Sequence, residues 1–135
     1  MKVTPSRLYA IAVVFAATVL HAYESLVLAE QFLLGFFLWA MVPYGVCMVV
    51  FAAAKSGVPS ASGVSAALLL DVATHYSVFI APESSTAALG MLVVPAWSAG
   101  FVAPGVMLVA WAIQWQRRRH LRELALERGP IEPHL

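Results

Sequence analysis

Residues 62–82 read SGVSAALLLDVATHYSVFIAP, an apolar run with an aspartate near its middle and a histidine one helical turn later. At 1.5 Å per residue, a helix of about 20 residues crosses a hydrocarbon core of roughly 30 Å. The run therefore reads as a membrane span. An aspartate at the centre of such a helix costs about 3 kcal/mol on insertion scales, so Asp71 needs partners. Its candidates within the chain are His75, His21, Tyr44 and Thr74; no Lys or Arg lies in the apolar stretches to neutralise it.

The same pattern extends outward from this run. Of 135 residues, 61% are hydrophobic and 11% charged, with a mean hydropathy of +0.84. A soluble domain of this size would need more polar surface to cover its core. The chain has room for about four spans of ~20 residues and none for a soluble domain. The expectation is an all-α integral membrane protein, a single four-helix transmembrane bundle. Its spans fall at 8–29, 32–54, 62–81 and 96–116, with a tail at 117–135.

Local signals set these boundaries. Lys2 and Arg7 precede an apolar run, as in a signal peptide, but Leu20 at the −3 position makes a poor cleavage site. The segment is read as the first span. Glu30 and Gln31 form a tight turn, which makes the first two spans antiparallel neighbours. Pro43 predicts a kink in the second. KSGVPSAS, residues 55–62, reads as a loop, with Ser60 or Ser62 as cap of the third span. Ser84 or Ser85 would cap the next helix. Residues 86–115 are apolar throughout, too long for one upright helix, and Pro95 and Pro104 offer breaks. The favoured division is a short interfacial segment, 86–94, before the fourth span; the alternative is one long helix kinked at both prolines.

With four spans, every Lys and Arg falls on one side: Lys2, Arg7, Lys55, Arg117, Arg118, Arg119, Arg122 and Arg128. Glu24, Glu30 and Glu83 fall on the other. The positive-inside rule then puts both termini in the cytoplasm of a bacterial inner membrane. Arg117, Arg118, Arg119 and Arg122 form a basic juxtamembrane anchor, with binding to anionic lipid or a protein partner as the alternative role. Nothing suggests nucleic acid.

The polar residues inside the spans are the candidate site. Asp71 and His75 share a helix face. On the first span, Ala10, Val14, Ala17, His21 and Glu24 form one stripe. Turning both stripes inward brings His21, Glu24, Asp71 and His75 together in the outer half, with Tyr44 at the depth of Asp71. The lone Cys47 reads as a small buried hydrophobe. No nucleophile–base set, phosphate loop or zinc-protease motif is present, so no enzyme is expected.

Three functions fit. The first is a non-enzymatic subunit or accessory protein of a membrane complex or homo-oligomer, embedded in membrane lipids. The second is a proton- or cation-conducting protein using Asp71 and His75. The third is a haem b or divalent-metal protein with His21 and His75 as ligands, although no cofactor is the primary expectation.

Overall fold

The computed structural model describes residues 4–28, 34–54, 56–81 and 87–127. Among them there is no strand. Helix α1, Pro5–Tyr23, runs into a π-helical turn, Glu24–Leu28. Two short helices follow: α2, Leu34–Ala40, and α3, Val42–Ala53. Helix α4, Val58–His75, ends in a second π-helical turn, Tyr76–Ile80. Helix α5, Ala87–Trp97, passes through a third, Ser98–Val102, into α6, Ala103–Glu127.

Three helical stretches are long and apolar enough to cross a membrane: Pro5–Leu26, Val58–Ile80 and Leu89–Leu126. Helices α2 and α3 together make a fourth if the bent pair is one span; they meet at 48°. The bend lies where the sequence predicts it. Pro43 has no N–H to offer the carbonyl of Trp39, so the helical ladder is interrupted one turn before it.

Two boundary expectations need correction. The stretch after Thr86 does not divide into an interfacial segment and a separate span; it stays helical from Ala87 to Glu127. Pro95 lies inside α5, and Pro104 follows the π-helical turn. The wide turn, closed by the Ala103 N–H on the Ser98 carbonyl, takes up the irregularity between the two prolines without a break. Helix α4 also begins earlier than expected, at Val58, with Pro59 in its first turn. Proline is pre-set for that position because the N–H it lacks would be unpaired there. Gly57 is the N-cap, and neither Ser60 nor Ser62 caps the helix. The turn at Glu30 and Gln31, the caps at Ser84 and Ser85, and the end of the tail lie outside the described residues.

Helix α4 is the hub and packs on α1, α3, α5 and α6. The contact surfaces are built from small side chains: Ala10, Ala17, Ala67 and Ala103 are fully buried, with Val64 and Cys47. Gly63 permits a close approach inside the bundle. A Cβ there would lie 2.7 Å from Met107 Cγ and 3.0 Å from Cys47 Sγ. Large apolar side chains such as Phe15, Val49, Leu69 and Leu108 point outward. This inversion of the soluble pattern suits a lipid solvent, where burying Leu against Leu gains little and close backbone packing gains more.

One end of the bundle is tied by polar contacts. Arg7 donates to the Ala54 carbonyl at 2.9 Å and packs on the Phe51 ring. Gly57 sits against Ser6 and Arg7, and Gln114 donates to Ser56 Oγ at 3.0 Å. The start of α1, the end of α3, the start of α4 and the middle of α6 thus converge. Helices α1 and α4 leave this end side by side and run parallel.

Candidate functional site

At the far end of α1 and α4, all five polar residues singled out in the sequence join in one chain of hydrogen bonds. Tyr44 donates its hydroxyl to Asp71 Oδ2 in a very short contact of 2.5 Å. The same oxygen lies 3.1 Å from His21 Nε2. His21 Nδ1 lies 2.8 Å from Glu24 Oε2, and Glu24 Oε1 lies 2.8 Å from His75 Nδ1. The order is Tyr44, Asp71, His21, Glu24, His75. Tyr44, Asp71, His21 and Glu24 are buried and His75 is partly so.

Helix geometry explains the pairing. His21, in the last turn of α1, and Glu24, in the π-helical turn that continues it, are three residues apart; Asp71 and His75 are four apart on α4. Both spacings return to the same face, and rises of about 4.5 and 6 Å keep the two parallel helices nearly level. His21 therefore meets Asp71, and Glu24 meets His75. Tyr44 reaches Asp71 from α3, which runs the opposite way. Below them Ala10, Ala17 and Ala67 let the helices approach closely enough for side chains to meet.

The structure changes two details of the expected cluster. Asp71 and His75 share a face but do not bond; Asp71 is claimed by His21 of α1 and His75 by Glu24 of the π-helical turn that follows it. Thr74 is not a partner of Asp71, because its hydroxyl bonds back to the Leu70 carbonyl at 2.9 Å. Thr74 instead lines a cavity of about 20 Å³ beside the chain, with His21, Glu24, Asp71, His75, Met91 and Pro95. That is room for about one water molecule.

The contacts also fix a proton count. Each of the four bonds needs one proton between its two heavy atoms. With both carboxylates ionised, His21 must carry a proton on each nitrogen, and His75 needs one on Nδ1. The group then holds a net charge of −1 in an apolar surrounding. A further proton on Nε2 of His75 makes it neutral. Among the described residues no Lys or Arg pairs with the chain.

Toward the other end the chain stops. Tyr44 rests on an apolar floor that includes Cys47, Val64, Ala67, Ala103 and Met107. Cys47 is buried as expected. Three further buried hydroxyls, of Ser25, Ser60 and Ser98, have no hydrogen-bond partner among the described residues. The sequence marked Ser60 only as a candidate helix cap and gave no sign of an unpaired hydroxyl at any of the three, since serine in an apolar helix commonly bonds its own backbone.

The arrangement bears on the ligand readings. Both ring nitrogens of His21 are engaged by carboxylates, so axial ligation of a haem by His21 would require breaking one of those bonds. Among the described residues no three His, Cys, Asp or Glu side chains are grouped to hold a metal ion. The basic cluster lies on exposed α6; Arg119 stacks 3.6 Å over the Trp115 ring rather than pairing with Glu123, whose ion-pair contact is His120 at 4.0 Å.

What fold and site define is a helical, multi-pass membrane protein with a buried polar chain linking three of its helices. No family model matches the sequence, and neither a curated protein nor a solved structure matches it.

Proposed function

We propose that this is a non-enzymatic subunit or accessory protein of a bacterial inner-membrane complex, built as a four-span bundle with both termini in the cytoplasm. Its buried chain takes up one proton from the outer side, through His75. The observation that carries the reading is the hydrogen-bonded series from Tyr44 to His75, in which, among the described residues, His75 is the one member that is only partly buried. A lone buried charge in hydrocarbon is costly, so loading and unloading that proton biases how tightly α1, α3 and α4 hold together. The accessory role draws support from α6. The helix Leu89–Leu126 has 38 residues, about 57 Å, against a hydrocarbon core of roughly 30 Å. Its excess projects with Leu121 and Leu126 exposed at 64% and 81%, apolar surface that a partner would cover.

Steady proton conduction is the second reading, favoured by the continuity of the chain and opposed by the apolar floor beneath Tyr44. Reconstitution in liposomes separates the two. An acid pulse to wild-type protein is expected to give uptake of about one proton per chain without sustained flux, and His75→Gln is expected to abolish the uptake. Sustained flux lost in Asp71→Asn would establish conduction instead. The absence of both uptake and flux would leave the chain a structural clasp.

A further inference from the structure

At the opposite end of the bundle lies a second cavity, of about 200 Å³, lined by Ala54, Ser56, Pro59, Trp111, Gln114, Trp115 and Arg118. Its walls are of two kinds. Trp111 and Trp115 stand parallel, with ring centroids 6.3 Å apart, and present indole surface with Pro59. Ser56 and Gln114 present a hydroxyl and an amide, already bonded to each other at 3.0 Å and so fixed in place. At the rim stands Arg118, an exposed guanidinium with no hydrogen-bond or ion-pair partner among the described residues. The neighbouring Arg119 is occupied by its stack on Trp115.

A cation, two fixed hydrogen-bonding groups and indole walls in one cavity match a ligand with an anionic phosphate, ester oxygens and an apolar body. Tryptophan sits where hydrocarbon gives way to headgroups, and arginine matches phosphate with two parallel N–H bonds. We infer that this cavity is a binding site for one anionic phospholipid. Its phosphate is held by Arg118, its glycerol ester region faces Ser56 and Gln114, and its acyl chains leave along Trp111. A free phosphate anion would use Arg118 alike but would find nothing to match the indole walls. The site is independent of the Tyr44–His75 chain.

Native mass spectrometry of the detergent-purified full chain tests this. The probes are short-chain phosphatidylglycerol, phosphatidylcholine of the same chain length and inorganic phosphate. Phosphatidylglycerol is expected to form a one-to-one adduct, weakened about tenfold by Arg118→Gln, the loss for a charge-assisted bond. Arg122→Gln removes the same charge farther along the same exposed helix and is expected to change binding less than about threefold. Equal losses in the two variants would mean diffuse attraction by the basic segment and would overturn the site. Competition by inorganic phosphate as strong as by the lipid would overturn the lipid assignment, and so would phosphatidylcholine adducts of equal strength. Trp111→Ala gives a second check: weaker lipid binding with unchanged unfolding stability is expected, and unchanged lipid binding would contradict the proposal.

Discussion

His21 is the residue on which the site turns. It is the one member bonded through both ring nitrogens, to Asp71 on one side and Glu24 on the other. Removing it leaves Asp71 with Tyr44 and Glu24 with His75, and takes away the imidazole that links the two buried carboxylates. His21→Leu is expected to destabilise the protein by about 3–5 kcal/mol, the cost of breaking a buried pair from one side. Tyr44→Phe removes only one donor and leaves the Asp71–His21 contact. Its expected cost is about 0.6–1.7 kcal/mol, the range for polar contacts between membrane helices. Unfolding by SDS in mixed micelles measures both. A His21→Leu effect no larger than that of Tyr44→Phe would mean that the carboxylates find other partners.

At the scale of elements, α4 holds the bundle together through small residues, and Gly63 is a tight point within it. Gly63→Ala puts a methyl group 2.7 Å from Met107 Cγ and is expected to cost about 1–3 kcal/mol. Pairing it with Met107→Ala should restore part of that. Gly45 in α3 is the contrast, because a Cβ there meets nothing within 4 Å. Gly45→Ala is expected to be neutral or to stabilise by up to about 1 kcal/mol. The same SDS titration reads all three, and equal effects at Gly63 and Gly45 would contradict the packing. Much of the element scale was legible in the sequence. The apolar runs, the bend near Pro43 and the shared stripe of Ala10, Ala17, His21 and Glu24 all follow from composition and a 3.6-residue period. The fate of Pro95 and Pro104 was not, because a proline in an apolar helix can be met by a break or by a wide turn. Local sequence favoured the break, and the structure has the wide turn.

At the scale of the molecule, the contacts gather the start of α1, the end of α3, the start of α4 and Gln114 at one end, with Arg7 and Arg118. The polar chain lies at the other. A four-span topology with both termini in the cytoplasm makes a direct prediction. Reporter enzymes fused after Leu135 are expected to be active only in their cytoplasm-dependent form. A periplasm-dependent reporter active there would overturn that topology. Cys47, fully buried, is expected to resist maleimide in the native protein and to react after unfolding.

Sequence alone determined that this chain is helical and suited to a membrane, which side chains share a face, and which residues are too polar to be left without partners. Those properties are local: hydropathy over about 20 residues and a fixed turn angle suffice. Neither Gln114 nor its partner Ser56 was singled out in the sequence, and only the structure brings them together. The tertiary structure alone decided who pairs with whom. Asp71 meets His21 rather than the His75 on its own face, and Glu24 joins the two histidines. The reason is that pairing across helices depends on their relative rotation and shift. Those are set by contacts such as Gly63 on Met107 that no single helix contains.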